Sequence, residues 1–261
     1  MTMQLAVESR QRNDRNERNE LKAAIRITEE RLPFTIKLVT TEEQMNKAVS
    51  IRHSAYARHV PDFVEQLKRP ESRDYEDGTV ILLAESRMDG TPLGTMRIQT
   101  NQFAPLGLEQ SVDLPDWLQG LNLAEATRLG VTETREGRVV KTFLFKAYYL
   151  YCLHAEIDWM VITARKPIDR QYDALLFHDV FGKNEYIPMS HVGNIPHRVM
   201  SFNVRLAEPN WRAASHPLYH LVFEVNHPDI DIGQVTTGKY RDVGITRSTL
   251  AALHQSGSRL Q

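Results

Sequence analysis

The segment from Ala124 to Val131 (AEATRLGV) places a carboxylate, Glu125, and a guanidinium, Arg128, inside what otherwise reads as a buried β-strand. Burying a charge is costly unless the charge is paired and hydrogen-bonded. A paired acid and base suit proton transfer or the binding of a charged substrate, but they can also brace neighbouring elements. The sequence therefore predicts either part of a reactive site or a structural brace at this strand.

Strand geometry restricts how these two residues can work together. Side chains alternate between the faces of a regular strand, so residues 125 and 128 point to opposite sides. Glu125 and Arg128 can share a site only if an inserted residue shifts that phase. We therefore predict a β-bulge within Glu125 to Leu129.

A second candidate lies on a predicted helix that starts at Thr41, where two acids occupy the first turn. Its apolar residues recur at intervals of three and four, and Arg52 lies on the same stripe, with Tyr56 one turn further along. Arg52 either extends over the stripe to place its head group at the rim, or lines a pocket for a substrate carboxylate.

The elements that position these residues follow from hydrophobic periodicity. Strands are predicted at 34–39, 79–85, 93–100, 124–131 and 157–164, with Arg97 inside the third and a turn at Asp89-Gly90. Helices are predicted from Thr41, at about 62–67, from Val139 to about 155, and from 168 to 181 before Gly182. A helix that joins two apolar strands implies a parallel crossover, so we expect an α/β protein with a mixed sheet.

Composition excludes several classes of protein. The 261 residues have 32 Lys and Arg against 33 Asp and Glu, which gives no global argument for nucleic acid or an anionic membrane. One cysteine cannot form an internal disulfide, no apolar run predicts a membrane span, and the histidines lack a metal-binding pattern. We expect a soluble cytoplasmic protein without bound metal, comprising a charged extension (1–31), one domain (32–228) and a polar tail (229–261).

The order of these motifs resembles that of the N-acyl amino acid synthases and the related acyl-homoserine-lactone synthases. The similarity rests on the strand with Gly94-Thr-Met-Arg97, the next strand with Glu125-Ala-Thr-Arg128, the Arg52-to-Tyr56 spacing, and an ending from Pro217 to His227-Pro-Asp-Ile. It covers roughly residues 34–228 and is closer to the N-acyl amino acid synthases. The resemblance implies a GNAT-like three-layer fold, with a central mixed, mostly antiparallel sheet flanked by helices.

The resemblance also implies a reaction, transfer of a long acyl group from acyl carrier protein to the amine of an amino-acid-like acceptor. It implies catalytic roles for Glu125 and Arg128, and for Asp77 as the base, with Asp74 and Glu76 as competitors for that role. An ammonium must lose a proton before it attacks, and backbone N–H groups beside the bulge would stabilise the thioester oxygen.

The resemblance implies that three further residues, Arg52, Tyr56 and Arg97, bind the acceptor. For Arg97 there is an alternative, in which its guanidinium pairs with the carboxylate of Glu125 or Asp77.

The turn at 135–138 occupies the place where relatives that use acetyl-coenzyme A bind a pyrophosphate. Its residues lack the two small residues of that pattern, which favours a phosphopantetheine arm brought by acyl carrier protein. Arg135, Arg138 and Lys141, with Lys146 as a further candidate, would form a basic patch for the carrier. No permanently bound cofactor is expected. An acyl-CoA donor, an acetyl-CoA-dependent N-acetyltransferase and a non-catalytic acyl- or carrier-binding module are the alternatives.

Overall fold

The computed structural model describes residues 28–58, 60 and 64–233. Most of these residues build one mixed sheet with helices on both faces. The strands are β1 (Thr28–Glu29), β2 (Phe34–Leu38), β3 (Thr79–Ser86), β4 (Pro92–Thr100), β5 (Leu123–Val131), β6 (Trp159–Ala164), β7 (His178–Asp179), β8 (Ile187–Met189), β9 (Ile195–Asn203), β10 (Val225–Asn226) and β11 (Ile230–Asp231). The helices are α1 (Glu42–Ala57), α2 (Arg135–His154), α3 (Asp169–Ala174) and α4 (Ala207–Ala213).

The main sheet has the strand order β11-β2-β3-β4-β5-β6-β9-β7, with β8 paired to β9. Strands β2 to β5 are antiparallel neighbours, whereas β5 and β6 run parallel and are connected by α2. The predicted crossover is therefore confirmed. Two short strands lie in the segments predicted as the N-terminal extension (1–31) and the C-terminal tail (229–261). Strand β1 pairs with β10, and strand β11 pairs with β2.

Local sequence explains where the two long helices begin. Thr41 caps α1, and the side chain of Gln44 reaches back to the backbone of Thr41 in a capping box. Thr134 caps α2 by accepting a hydrogen bond from the Gly137 N–H. Helix α2 thus starts four residues before the predicted Val139, because the polar turn at 135–138 is its first turn.

The predicted helix over 168–181 is wrong. Helix α3 ends at Ala174, and Leu176 adopts a left-handed backbone with φ of 63°. The chain then returns as β7 against β9, which allows Phe177 to be buried in the core. Only a 3-10 turn at Glu65–Leu67 is described within the predicted helix at 62–67, since residues 61–63 lie outside the described part of the chain.

Each face of the sheet has its own core. Helix α2 packs on one face, against Met96, Ile98, Ala124 and Ala126 among others. Helix α1 covers the other face through Met45, Ala48 and Val49, which contact Ile81 and Leu83. This is the three-layer arrangement expected from the sequence.

The predicted bulge is confirmed in β5. Thr95 pairs with Gly130 and Arg97 pairs with Thr127, so β5 contains one more residue than β4 between these two pairs. Arg128 takes up the extra residue in a left-handed conformation with φ of 55°, which is unfavourable for a non-glycine residue. The face that each later side chain of β5 occupies is therefore reversed.

The two parallel strands separate immediately before the bulge. Strand β5 pairs with β6 from Leu123 with Trp159 to Ala126 with Ile162, and β5 then continues alone on this side to Val131. The gap between them opens a space that we call the inter-strand cleft. Residues 127–131 of β5 line one side of it.

Gly130 permits close contact between the bulged strand and α1. A Cβ atom at this position would lie 3.1 Å from the Ala55 Cβ and 3.3 Å from the Arg52 Cα. We expect Gly130→Val to lower the free energy of unfolding by about 1–3 kcal/mol, because backbone would have to move. Urea unfolding followed by circular dichroism measures the change.

Gly90 provides the control, since a Cβ there has open space although its φ is +71°. Asparagine tolerates this conformation better than most residues, so Gly90→Asn should cost at most about 1 kcal/mol. Wild-type stability in Gly130→Val would show that α1 does not rest on the bulged strand.

Candidate active site

The bulge brings Arg128 to the face of the sheet that carries Arg97. Five charged side chains meet there between the sheet and α1, and we call them the arginine network: Arg52, Glu71, Asp74, Arg97 and Arg128. Arg52, Asp74, Arg97 and Arg128 are all buried, and the Glu71 side chain is 19% exposed. Helix α1, strands β4 and β5, and the loop before β3 each contribute to it.

Two carboxylates hold the three guanidiniums. Asp74 accepts two hydrogen bonds from Arg52, at 2.8 and 3.0 Å, and one from Arg97 at 3.2 Å. Glu71 accepts two from Arg128, at 2.7 and 2.6 Å, and further bonds at 3.2 Å from Arg52 and Arg97. Such bidentate, charge-assisted bonds are among the strongest in proteins.

The network contains three guanidiniums but only two carboxylates, and this excess of positive charge favours the ionised form of Glu71. Burial alone would raise its pKa, but Arg128, with contributions from Arg97 and Arg52, lowers the pKa of Glu71 to about 2. Glu71 is therefore ionised throughout the neutral range.

Glu125 lies on the same face but in a different setting. It is fully buried, and its Oε2 accepts a hydrogen bond from the Leu108 N–H at 3.2 Å. Its Oε1 has no hydrogen-bond partner. Burial raises the pKa of Glu125 to about 7, despite the opposing effects of the Leu108 N–H and Arg97. Glu71 and Glu125, which are both influenced by Arg97, thus have very different proton affinities, a pattern found in acid–base sites.

The inter-strand cleft has a volume of about 530 Å³ and passes beside the bulge. Strands β5 and β6, the end of α1, the start of α3 and the turn at Ser190–Val192 line it. Its cationic lining residues are Arg58, Arg128, Lys141 and Arg165, and none of the described lining residues is Asp or Glu. The cleft is therefore suited to a ligand with negative charge.

The structure places the predicted acceptor-binding residues in two groups. Tyr56 lines the cleft, whereas Arg52 and Arg97 bond to Glu71 and Asp74 inside the network. Arg52 is fully buried, so the interpretation with its head group at the rim is wrong. Arg97 pairs with neither predicted carboxylate, since Glu125 and Asp77 both lie outside its hydrogen bonds.

The structure does not bring Asp77 into this cluster. Asp77 is exposed in the turn before β3 and makes no ion pair or side-chain hydrogen bond with the described residues. Asp74, which the sequence prediction named as a competitor, is buried in the network, and Glu76 bonds to Gln99 at 3.2 Å. A catalytic role for Asp77 stays a prediction.

The predicted carrier-binding residues lie around the start of α2. Arg135 and Arg138 are exposed, and Lys141 lines the cleft with its Nζ 2.6 Å from the Gln171 Oε1. Lys146 does not belong to this patch, because it is buried and donates to the backbone carbonyls of Leu221 and Val225. It instead fixes the returning C-terminal segment to α2.

Two residues of this region were missed by the sequence prediction. Glu71 lies in a polar loop of the sequence, 19 to 57 positions from the three arginines that it contacts, so no local signal indicates its role. His191 belongs to a scattered set of histidines in the sequence, yet its imidazole lines the cleft and its Nε2 lies 3.8 Å from the Glu125 Oε1. The two residues are 66 positions apart in sequence, so no local pattern could indicate their contact.

Within the described ranges, no group of three or more His, Cys, Asp or Glu residues is arranged to hold a metal ion. Over the same part of the chain, no helix has the length and hydrophobicity needed to cross a bilayer.

Comparison with known proteins gives consistent matches. Residues 47–203 match the family model for N-acyl amino acid synthase FeeM. The chain is 18% identical to the structure of FeeM, an N-acyl amino acid synthase from uncultured soil microbes, with a TM-score of 0.55 over 72% of this chain and 96% of that one.

A second solved structure is also similar. It is BjaI, a CoA-dependent acyl-homoserine lactone synthase solved with MTA, with 15% identity, a TM-score of 0.50, and coverage of 77% of this chain and 95% of that one. No curated protein matches the sequence. The predicted GNAT-like fold is confirmed.

The arginine network leads to a prediction about stability and pH. Glu71→Gln should lower the free energy of unfolding by about 3–5 kcal/mol at pH 7, because it leaves buried guanidiniums without their counter-charge. Since the folded-state pKa of Glu71 is lowered, its stabilising effect is present at neutral pH and is lost as pH falls from about 5 to about 2. Denaturant unfolding of both proteins across this range measures the difference.

Glu65→Gln is the matched control, because Glu65 makes an exposed ion pair with Lys68. Such pairs contribute about 0–1 kcal/mol, so this variant should resemble the wild type. A wild-type advantage over Glu71→Gln that stays constant down to pH 2 would contradict the role given to Glu71.

Proposed function

This chain belongs to the N-acyl amino acid synthase FeeM family, and we propose that it transfers a long-chain acyl group from acyl carrier protein to the amine of an amino acid or related acceptor. The observation that carries this proposal is the inter-strand cleft, which opens where β5 and β6 separate beside the bulge. An acyl thioester needs such a slot between an entrance for its carrier and a reactive centre.

The wall formed by residues 127–131 suits the thioester carbonyl. No strand pairs with this part of β5 on the cleft side. Backbone N–H groups there can therefore be directed at an oxygen that gains negative charge during acyl transfer. Donors fixed before the reaction stabilise such an oxyanion more effectively than water does, because they need not reorient.

The charge of the cleft supports an acceptor that carries a carboxylate. Lys141 and Arg165 line it and have no carboxylate partner among the described residues. Arg128 also lines it, with Glu71 behind its guanidinium. An acceptor with a free carboxylate beside its reacting amine would therefore be attracted to the cleft. Arg52 and Arg97 do not bind it directly but hold Glu71 and Asp74 in the network behind the cleft.

Glu125 supports the acid–base part of the reaction. An amino acid enters as an ammonium and must lose a proton before its nitrogen attacks the carbonyl carbon. The pKa of Glu125, raised to about 7 by burial, allows this carboxylate to exchange a proton near neutral pH. Glu71 does not suit that step, because its two oxygens already accept hydrogen bonds from three guanidiniums.

The start of α2 supports a carrier protein as the donor. Arg135 and Arg138 are exposed there, and Lys141 continues the positive surface into the cleft. The Gly137 N–H at this helix start is already bonded to Thr134, which leaves fewer free donors for a pyrophosphate. The cationic cleft lining would also suit acyl-CoA, so this donor is the second candidate.

A direct assay tests the proposal. Purified protein is incubated with long-chain acyl carrier protein or with the same acyl group on CoA, together with a pool of amino acids. We expect amide-linked acyl amino acids by mass spectrometry, formed faster from the carrier. Absence of any acyl amide with a folded, monodisperse sample would reject the synthase function, and faster acetyl transfer from acetyl-CoA would favour an N-acetyltransferase.

Charge reversal tests the carrier surface separately. Arg135→Glu combined with Arg138→Glu should lower kcat/KM for acyl carrier protein at low salt by about tenfold or more, since exposed interface charges act mainly on association rate. Kinetics with an acyl-pantetheine thioester, which has no carrier to dock, should remain unchanged.

The control carries the same charge change at the other end of the sheet. Arg205 and Arg212 are exposed beyond the end of β9 that lies beside Trp159, away from the cleft. The double variant Arg205→Glu with Arg212→Glu should leave kcat/KM unchanged for both acyl carrier protein and the acyl-pantetheine thioester. An equal loss in the two double variants would mean that net charge, and not a docking surface at α2, controls the rate.

A further inference from the structure

His191 is held in a defined position beside the inter-strand cleft. It lies on the 3-10 turn Ser190–Val192, and this turn is tied to the loop after β4 by the Ser190 N–H, which donates to the Ser111 Oγ at 2.8 Å. The His191 side chain is only 7% exposed, and neither of its ring nitrogens has a hydrogen-bond partner. A buried imidazole without partners loses the hydrogen bonds that water would give, so its position requires an explanation.

Glu125 lies directly behind this imidazole. The His191 Nε2 is 3.8 Å from the Glu125 Oε1, the carboxylate oxygen that also has no partner. The same loop positions both residues, since it supplies the Leu108 N–H to the Glu125 Oε2 and Ser111 to the turn of His191. Gly107 allows this close approach, because a Cβ atom there would lie 3.1 Å from the Glu125 Oε2.

Only one member of this pair faces the cleft. His191 is among the lining residues, whereas Glu125 is not. An acceptor amine in the cleft would therefore meet the imidazole first. Hydrogen bonds of catalytic groups are often long before substrate binds and shorten in the complex, so a separation of 3.8 Å is compatible with a working pair.

We propose that His191 is a catalytic residue that takes the proton from the attacking amine, with Glu125 positioned behind it to accept a hydrogen bond from the other ring nitrogen. This inference rests on the proposed acyl transfer. It assigns the proton transfer at the acceptor to His191 and gives Glu125 an indirect part, as in other sites where a carboxylate orients a histidine.

The His191 imidazole first removes one proton from the acceptor ammonium. The neutral amine nitrogen then forms a bond to the thioester carbonyl carbon and gives a tetrahedral intermediate with a positively charged nitrogen. The C–S bond of this intermediate breaks, and the proton on its nitrogen passes to the departing thiolate sulfur. The imidazolium releases the first proton to solvent, so the products are an amide, a free thiol and one proton.

The protonation states agree with this role. Burial, together with Arg128, lowers the pKa of His191 to about 4, so the ring is neutral at pH 7 and keeps a free lone pair on one nitrogen. The charged and titratable groups around the ring are Glu125 and Arg128 of β5, Arg97 of β4, Arg73 of the loop before β3, and His197 of β9. Ionisation of Glu125, with its pKa near 7, would favour the protonated ring that forms during the reaction.

His191→Gln tests the proposal, because glutamine keeps a polar side chain but cannot act as a base. We expect kcat with long-chain acyl carrier protein, and with whichever amino acid is acylated in the pool assay, to fall by about a hundredfold or more at pH 7, with the donor KM changed by less than about threefold. The loss should shrink as pH rises above the pKa of the free acceptor amine, about 8 or higher, because the amine then needs no base. A loss that does not vary with pH, or one below about threefold, would overturn the proposal.

Two further variants make the result decisive. In the wild type, ionisation of Glu125 should make kcat/KM rise between about pH 6 and 8. Glu125→Gln should lose this rise but retain more activity than His191→Gln. A Glu125→Gln profile identical to the wild type would remove Glu125 from the pair. His154→Gln alters an exposed histidine at the end of α2 and should match the wild type in activity and melting temperature. If the wild type forms no acyl amide, the acyl transfer itself is rejected, whereas an active His191→Gln protein rejects only this inference.

Discussion

The burial of three guanidiniums against two carboxylates is the interaction on which the site depends. Arg52, Arg97 and Arg128 come from α1, β4 and β5, and among the described residues Glu71 and Asp74 from the loop before β3 are their carboxylate partners. Desolvating these charges without pairing them would cost more than the fold can offset. The packing of α1 on this face therefore requires the loop with Glu71 and Asp74 to be in place. The network links four parts of the chain that are distant in sequence.

The bulge in β5 has two consequences from one inserted residue. It turns Arg128 towards Glu71, so that the third guanidinium joins the network. It also lies where β5 loses its pairing with β6, so that strand separation and the left-handed Arg128 occur at the same place. The unfavourable backbone of Arg128 is held by its two bonds to Glu71. Local strain at a functional site is commonly maintained in this way by surrounding structure.

The two carboxylates Glu71 and Glu125 have different roles, since one stabilises the fold and the other can exchange a proton near neutral pH. Glu71 is strongly acidic because arginines surround it, and it stabilises the fold. Glu125 has no guanidinium bonded to it, so burial dominates and its proton affinity is near neutrality. The cleft itself is lined by cations and by neutral His191. In the proposed reaction, an anionic acceptor would be attracted without a carboxylate among the described lining residues to repel it, and its proton would leave through a neutral base.

Sequence reasoning predicted the strands at 34–39, 79–85, 93–100 and 124–131 to within one residue at each end, as well as the crossover through α2 and the requirement for a bulge. These features depend on local periodicity, capping and the alternation of side chains, which neighbouring residues define. The sequence also placed Glu125, Arg128 and Arg97 on adjacent strands. Their partners depend on tertiary folding, because Glu71 reaches Arg128 and His191 reaches Glu125 through loops whose paths no local pattern defines. The helix expected at 168–181 failed for the same reason, since burial of Phe177 and pairing with β9 overrode its local preference.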